Sequence, residues 1–276
     1  GNAGLRDALL VDGLWCAFED WVMGEAAEFI AAEYGITREE MDRFALSSHE
    51  KAIAAIDGGR FKQEIVPVTV KGPNAKLSVM DTDEAPRRDT SLEALEKLKP
   101  SFKPDGKVTA GNSPGLNDAA AALVLASQTR AQTIGATVLA RIVGYAQAAV
   151  DPKYIFAAPA IAIPLLLEKI GWKLPDVDLI ELNEAFAAQV LANGSELSDM
   201  GWDWNKVNVN GGAIALGHPL GATGARLLTT LVHALKDRGL HSGIAALCLG
   251  GGEAVAVAVE TERVRERSEF SVTITL

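Results

Sequence analysis

A histidine in a glycine-rich loop is the first residue of this sequence whose setting suits chemistry. His218 lies between Gly217 and Pro219 in the stretch NGGAIALGHPLGATGAR at 210–226, which contains five glycines. Glycine lets a ligand approach the main chain, and the proline restricts the backbone of the residue before it. An imidazole held in this way suits acid/base work because its pKa lies near neutrality. The alternative interpretation is a tight turn that merely contains a histidine.

Two further polar groups are predicted at the ends of buried strands. The stretch from Asp178 to Leu182 reads as an apolar strand leading to Asn183, and 243–249 reads as a buried strand that carries Cys248. In open α/β sheets ligands bind at the carboxyl ends of strands, so we expect the amide, the imidazole and the thiol to converge there. Asn183 could instead cap a helix that begins at the next residue, and Cys248 could be an inert core cysteine.

The elements that follow the loop predict an α/β setting. Apolar residues recur with helical period from Gly221 until Gly239 marks the end of the helix. The strand at 243–249, the glycines 250–252 and a second strand at 255–259 then predict a hairpin. Neither GxGxxG nor GK[ST] occurs in the loop, which excludes a Rossmann or P-loop nucleotide site at this point.

Several stretches resemble the signature segments of the thiolase family. NEAF at 183–186, the stretch at 210–226 and CLGGGEAVAVAVE at 248–260 are similar to its three C-terminal signatures. TAGNSPGLNDAAAALVLAS at 109–127 resembles a fourth segment, and 11–48 is similar to the loop domain of the family. The resemblance covers nearly the whole chain, and it is strongest to the acetyl-CoA acetyltransferase and 3-oxoacyl-CoA thiolase branches.

The resemblance implies an α/β fold of the thiolase-like layered α-β-α type. One half of that fold is complete, and a loop domain and a remnant of the other half accompany it. The implied divisions are a loop domain that covers coenzyme A at 1–100, a remnant of the N-terminal thiolase domain at 101–130, the C-terminal thiolase domain at 131–260 and an atypical tail at 261–276.

Local patterns predict the elements within those ranges. The residues from Thr37 to Glu40 form a capping box that opens a helix stopped at Gly58. An alanine-rich buried helix is predicted over 117–128. The remaining predictions are strands at 65–70, 107–109, 137–144 and 206–209, and helices that end at Tyr34, begin near Thr90, and span 160–170 and 184–193.

The resemblance also implies roles that are divided between two thiols. The nucleophilic thiolate of the family takes the acyl group and is activated by the histidine that matches His218. The thiol that matches Cys248 removes an α-proton from acetyl-CoA. His218 and a water held by Asn183 would stabilise the enolate oxygen, and the backbone around Gly250 would help to form a second oxyanion site.

The nucleophilic cysteine motif of the family does not occur in these 276 residues, whose cysteines are Cys16 and Cys248. Cys16 lies among apolar residues and is interpreted as a packing residue. We therefore expect an N-terminally truncated chain of an acyl-CoA acyltransferase, an acetyl-CoA C-acetyltransferase that is inactive alone. Its reaction would be Claisen condensation of acetyl-CoA or thiolytic cleavage of a 3-oxoacyl-CoA. The alternative is a non-catalytic thiolase-like protein that binds an acyl-CoA or a lipid, or that only assembles with a partner.

Coenzyme contacts are implied for Met23, Arg87 and Ser113. Coenzyme A or an acyl-CoA is expected as a substrate, with no covalently bound cofactor and no metal. Pro114 stands where a coenzyme-contacting serine is usual in the family. Arg87 and its neighbour Arg88 could meet the nucleotide phosphates, or they could belong to a solvated charged loop.

Composition sets the remaining expectations. A hydrophobic content of 48% and a charged content of 22% are typical of a globular protein, and no apolar run reaches membrane-spanning length. The net charge of −10 argues against nucleic-acid binding, and two distant cysteines favour a cytoplasmic location. By resemblance, the full-length form is expected to be a homo-oligomer, a dimer or a tetramer. The remaining histidines, His49, His233 and His241, are interpreted as ordinary surface or helix-end residues.

Overall fold

The computed structural model describes residues 4–72 and 76–261. The predicted tail at 261–276 therefore lies, apart from Thr261, outside the described residues. Within these two ranges, no helix combines the length and the apolar character needed to cross a bilayer.

The described ranges contain eight α-helices and eight strands. The helices are α1 (Met23–Glu33), α2 (Arg38–Asp57), α3 (Leu92–Glu96), α4 (Gln128–Thr133), α5 (Pro159–Ile170), α6 (Ala187–Glu196), α7 (Ala213–Leu216) and α8 (Thr223–Arg238). The strands are β1 (Trp15–Cys16), β2 (Trp21–Val22), β3 (Val68–Lys71), β4 (Leu77–Met80), β5 (Arg141–Ala149), β6 (Leu179–Leu182), β7 (Ser242–Leu249) and β8 (Glu253–Glu260).

A four-stranded sheet in the order β5-β8-β7-β6 organises the C-terminal part. The strands β6 and β7 are parallel, and the other two pairs are antiparallel. Alternate residues of a strand face opposite sides of the sheet. Ile180 and Ile244 accordingly belong to the core under α5, whereas Leu179 and Ala245 belong to the core under α8. A helix layer on each face confirms the predicted α-β-α arrangement.

Helix α8 follows from its sequence as predicted. Leu227, Leu231 and Leu235 recur every four residues, and each is almost fully buried against the sheet. The helix ends at Gly239, which adopts a left-handed conformation with φ of 64°, the usual glycine C-cap. The hairpin of β7 and β8 that follows is also confirmed.

A second apolar core joins α1, α2 and α6. Its largest fully buried side chains include Ile30, Met41 and Phe156. The predicted capping box at the start of α2 is confirmed, because the Thr37 hydroxyl accepts from the Glu40 backbone N–H at 3.2 Å and the Glu40 carboxylate accepts from the Thr37 N–H at 2.7 Å. This core places α2 close to the loop that contains His218.

Other predicted elements are present with different limits. The strand expected at 137–144 begins later, as β5, and the helix expected from residue 184 begins at Ala187. The strands expected at 107–109 and 206–209 contribute only isolated bridges, in which Thr109 pairs with Pro100 and Val207 pairs with Ile180.

The buried helix predicted over 117–128 is wrong. Residues 114–127 form neither helix nor strand, and all side chains from 115 to 130 are exposed. Alanine favours helix, but most helical stability in proteins comes from packing one face against another element. The described residues offer this segment no such surface, so the helical propensity of its alanines has no tertiary support.

Candidate active site at the carboxyl edge of the sheet

Asn183 is the first residue after β6. Its backbone N–H donates to the Ala246 carbonyl of β7 at 2.9 Å, and only 1% of the residue is exposed. The next helix, α6, begins four residues later and takes Phe186 as its N-cap. The interpretation of Asn183 as a helix cap is therefore wrong, and its side chain is free to face the loop that follows α7.

That loop brings the imidazole to the amide. His218 Nε2 lies 3.3 Å from Asn183 Nδ2, and His218 Nδ1 lies 2.8 Å from Thr223 Oγ1 at the start of α8. Burial lowers the pKa of His218 to about 4, and the Arg226 guanidinium acts in the same direction. The imidazole is therefore neutral near pH 7. The direct contact between two predicted site residues argues against a turn that merely contains a histidine.

The loop conformation depends on a glycine before the histidine. Gly217 has a φ of 96°, in the region that only glycine adopts readily. A Cβ atom at this position would lie 2.4 Å from the Asn117 side chain. Gly217 therefore supplies the backbone geometry of the loop before His218 and leaves room for the Asn117 side chain.

Glu184 is a buried carboxylate that ties three parts of the chain together. It accepts hydrogen bonds from Ser48 Oγ at 2.7 Å, Asn208 Nδ2 at 2.9 Å and the Ile214 backbone N–H at 3.0 Å. Burial raises the pKa of this carboxyl, and the hydrogen bonds act in the opposite direction. Glu184 therefore connects α2, the end of β6 and the loop that leads to His218.

Gly212 allows this connection to form. A Cβ atom at Gly212 would lie 2.2 Å from the Glu184 carboxyl carbon, and the Gly212 backbone N–H donates to Ser48 Oγ at 3.1 Å. Gly212 thus leaves room for the buried carboxylate, whereas Gly217 shapes the loop that carries the imidazole.

Cys248 lies near the end of β7, beside the strand that leads to Asn183. Leu182 of β6 is paired with Ala246 of β7, so Cys248 is two residues beyond that pair. The thiol is partly buried, and burial raises its pKa to about 12. Within the described ranges, no hydrogen bond joins Cys248 Sγ to Asn183 or to His218. Cys248 is thus protonated near pH 7, and both a catalytic and a packing role remain compatible with its place.

Gly250 follows in the turn between β7 and β8. The residue is exposed, and no atom lies within 4 Å of the position that a Cβ would take. The main chain there is open to a ligand, as an oxyanion site would require, and this role stays a prediction.

A buried carboxyl and a guanidinium lie close together on the α8 side of β6. Arg226 Nη1 is 3.6 Å from Glu181 Oε2, and Glu181 is 1% exposed. Burial raises the pKa of Glu181 to about 8, with Arg226 opposing the shift. The guanidinium is close enough to His218 to lower the pKa of the imidazole, so the charge of Arg226 favours neutral His218.

In the part of the chain that the structure describes, no side-chain hydrogen bond joins the residues predicted to contact the coenzyme to Asn183 or His218. Met23 is the partly buried first residue of α1, and Ser113 Oγ is buried without a hydrogen-bond partner among the described residues. The Arg87 backbone N–H donates to His49 Nδ1 at 3.1 Å. His49 is 5% exposed on α2, so its interpretation as a surface or helix-end histidine is wrong. The coenzyme roles of Met23, Arg87 and Ser113 stay predictions.

Arg88 differs from its neighbour because it has an acidic partner. Its guanidinium makes two hydrogen bonds to the Asp57 carboxylate, at 2.6 and 2.9 Å, and both side chains are exposed. This arrangement agrees with the interpretation of a solvated charged loop for Arg88.

Sequence reasoning missed three residues that hold this site. Thr223 could have been found, because a threonine at the start of a helix often bonds groups of the preceding loop. Ser48 and Asn208 reach Glu184 across 136 and 24 residues of chain. No local signal in the sequence indicates such distant contacts.

Comparison with known proteins gives concordant matches. The chain matches the family description "Thiolase, N-terminal domain" over residues 1–129 and "Thiolase, C-terminal domain" over 136–261. It is 54% identical to an acetyl-CoA acetyltransferase of Pseudomonas aeruginosa, over 93% of this chain and 65% of that protein. It is 52% identical to a probable acetyl-CoA acetyltransferase of Escherichia coli, over 95% of this chain and 66% of that protein.

Solved structures give the same result. The crystal structure of the Bacillus anthracis acetyl-CoA acetyltransferase superposes with a TM-score of 0.90 at 49% identity, covering 95% of this chain and 65% of that one. Human mitochondrial 3-ketoacyl-CoA thiolase superposes with a TM-score of 0.87 at 40% identity, with the same coverage. The chain thus spans about 65% of the length of these relatives.

Proposed function

The chain belongs to the thiolase family, and we propose that it carries the proton-transfer part of a thiolase-type acyl-CoA acyltransferase. The reaction is condensation of acetyl-CoA, or thiolytic cleavage of a 3-oxoacyl-CoA, with the coenzyme thioester as substrate. The observation that supports this proposal best is the contact between His218 and Asn183 at the sheet edge where Cys248 also lies. The names of the relatives, acetyl-CoA acetyltransferases and a 3-ketoacyl-CoA thiolase, agree with this chemistry.

The proposed chemistry is removal of a proton from the carbon beside a thioester carbonyl. Cys248 acts as the base in its deprotonated form: the thiolate takes the α-proton and becomes the thiol. Burial raises the pKa of Cys248 to about 12, so little thiolate is present near pH 7, but the thiolate that forms is a strong proton acceptor. The electrons left on the substrate move to the carbonyl oxygen as an enolate. Once His218 Nε2 has taken up the proton of the family's nucleophilic thiol, that N–H and a water held by Asn183 donate to the enolate oxygen, because a hydrogen-bond donor lowers the energy of developing negative charge.

The 276-residue chain alone is proposed to be inactive in condensation and thiolysis. Its cysteines are Cys16, which is buried at 5% exposure, and Cys248, and neither matches the family's nucleophile motif. The test is an assay with acetoacetyl-CoA and coenzyme A on the chain alone. The same assay is made on a fusion of this chain with the part of the Pseudomonas aeruginosa relative that the chain does not match. Activity only in the fusion, lost on Cys248→Ala, is expected, and turnover by the chain alone would contradict the proposal.

A second candidate function is binding of an acyl-CoA without turnover. The protonated, weakly acidic Cys248 thiol favours it. Deuterium exchange separates the two candidates: acetyl-CoA is incubated with the chain and with the fusion in D₂O, and the acetyl methyl group is followed by mass spectrometry. An acid/base site exchanges that methyl group and loses the exchange in Cys248→Ala. A binding protein retains calorimetric affinity for coenzyme A without any exchange.

The assembly state and the location belong to the same proposal. We expect a homo-oligomer, a dimer or a tetramer, for a full-length form, and a cytoplasmic location. Sedimentation equilibrium of the chain and of the fusion measures the first, and a monomeric fusion at micromolar concentration would contradict it.

A further inference from the structure

Thr223 determines which nitrogen of His218 carries the proton. We infer that it is a positioning residue that holds the proton of the neutral imidazole on Nδ1 and leaves Nε2 as a proton acceptor facing Asn183. Thr223 is fully buried, so water does not supply an alternative partner for its hydroxyl. The inference depends on three contacts and on the number of protons available to them.

The first two contacts involve the single proton of the Thr223 hydroxyl. Oγ1 of this residue lies 3.1 Å from the Pro219 carbonyl oxygen and 2.8 Å from His218 Nδ1. A carbonyl can only accept, so the contact with Pro219 uses the hydroxyl proton. This bond to a residue four positions earlier is a common one for a threonine in a helix. The oxygen then offers only a lone pair to His218, and Nδ1 must be the donor.

The third contact leads to the same assignment from the other side of the ring. Asn183 Nδ2 lies 3.3 Å from His218 Nε2, and an amide nitrogen can only donate. Nε2 must therefore present a lone pair. A proton on Nδ1 satisfies the bonds of His218 to both Thr223 and Asn183.

The opposite tautomer satisfies only the contact between Nδ1 and Thr223. A proton on Nε2 would face the donor nitrogen of Asn183, and Nδ1 would need the hydroxyl proton of Thr223. Two oxygen acceptors would then lie 3.1 Å apart at Pro219. Turning the Asn183 amide over would repair the contact at Nε2 but not the one at Pro219. The Pro219 carbonyl keeps the backbone N–H donors of Ala222 and Thr223 in either tautomer, at 2.8 and 3.0 Å. The three contacts as they stand favour the proton on Nδ1.

This assignment has a chemical consequence. A neutral histidine in water prefers its proton on Nε2, so the site reverses the intrinsic preference. When Nε2 accepts a proton, Nδ1–H remains donated to Thr223, and the imidazolium forms without rearrangement on that side. Asn183 Oδ1 is buried and has no partner among the described residues, so rotation of the amide would give the new Nε2–H an acceptor. The use of this acceptor in catalysis rests on the proposed function, whereas the tautomer does not.

Nitrogen NMR measures the tautomer directly. The full chain is labelled with ¹⁵N-histidine, and two-bond ¹H–¹⁵N correlations are recorded near pH 7 for wild type, Thr223→Val and Thr223→Ser. The His218 signal is identified by its loss in His218→Gln. We expect Nδ1–H in wild type and in Thr223→Ser. In Thr223→Val, which keeps the shape but not the hydroxyl, the ratio of Nδ1–H to Nε2–H should fall about tenfold, because one net hydrogen bond is lost.

Two results would overturn the inference: an Nε2–H signal in wild type, or an unchanged Nδ1–H signal in Thr223→Val. If circular dichroism shows that the valine variant does not fold, Thr223→Ala is the second variant without a hydroxyl, and the same criteria apply. The measurement needs neither coenzyme nor turnover. An inactive fusion would count against the proposed function, but the NMR spectra would still show which nitrogen of His218 carries the proton.

Discussion

Two regions that resemble thiolase signatures are held in opposite ways. At the sheet edge, Asn183, Glu184 and His218 are held by hydrogen bonds to β7, α2 and α8. In the segment 115–130 every residue is exposed, and Val124 and Leu125 are 98% and 73% accessible. The comparison teaches that similarity to a family identifies residues, whereas their conformation depends on surfaces that the rest of the chain supplies.

The largest expected effect comes from closing the space beside Glu184. Gly212→Ala places a methyl group 2.2 Å from the buried carboxyl carbon, so either the carboxylate or the loop must move. We expect the free energy of unfolding to fall by about 3 kcal/mol or more, measured by urea denaturation. The control is Gly221→Ala, where no atom lies within 4 Å of the new methyl group. A loss in the control equal to that in Gly212→Ala would contradict the steric explanation.

Neutralising the carboxylate at the same edge should have the next largest effect. In Glu184→Gln the amide nitrogen replaces one acceptor, so at least one of the donors from Ser48, Asn208 and Ile214 loses its bond. We expect a loss of about 2–4 kcal/mol in the free energy of unfolding, again from urea denaturation. The matched change Glu39→Gln, at a side chain that is 64% exposed, should alter it by less than about 0.5 kcal/mol. Equal effects of the two changes would show that Glu184 is not the anchor.

Lowering the pH should destabilise the protein through the buried imidazole of His218. The folded pKa of His218 is about 4, below its ordinary value of 6.5, so the unfolded chain binds the proton first. Its contribution to stability is present above pH 6.5 and is lost as the pH falls towards 4. Wild type should therefore lose about 1–3 kcal/mol more than His218→Gln between pH 6.5 and 4, measured by denaturation at several pH values.

The contribution of His218 is measured by the difference between wild type and His218→Gln in the pH dependence of the free energy of unfolding. Burial raises the pKa of Glu64 to about 7 and of Glu181 to about 8, so both contribute stability that is lost as the pH rises. These opposite slopes are present in wild type and in His218→Gln alike and cancel in the comparison. Identical pH profiles for the two proteins would mean that the imidazole is not desolvated.

The smallest expected effect lies in the exposed segment. Val124→Ser changes a side chain that is 98% exposed, and the free energy of unfolding should change by less than about 0.5 kcal/mol. Leu231→Ala, at a fully buried position of α8, should cost about 2–5 kcal/mol in the same urea titration. A loss above 1 kcal/mol in Val124→Ser that grows with protein concentration would show that association covers the segment, and would remove the contrast between the two regions.

The elements that could be predicted from the sequence are those with complete local signals. The capping box at Thr37 marks the start of α2, and the glycine at 239 marks the end of α8. The alternation of alanine and valine fixes the two faces of β8. The prediction of a helix over 117–128 was wrong because the alanines there indicate helix propensity but not a surface for the helix to pack against.

The candidate site was predictable in its residues and not in its connections. The positions of Asn183 and Cys248 follow from strands that end at one sheet edge. The role of Glu184 could not be foreseen, because it depends on Ser48 and Asn208, which are distant in sequence. His49 was misread for the same reason, since its partner is a backbone N–H 38 residues away.

The shared carboxylate at Glu184 has a consequence for how this protein can be altered. Ser48 belongs to α2, and Ile214 belongs to the segment that leads to His218, yet both bond the same oxygen. A tilt of α2 would thus act, through Glu184, on the segment that leads to the imidazole. Substitutions chosen to change the position of α2 would also change the position of His218. The two positions would have to be engineered together.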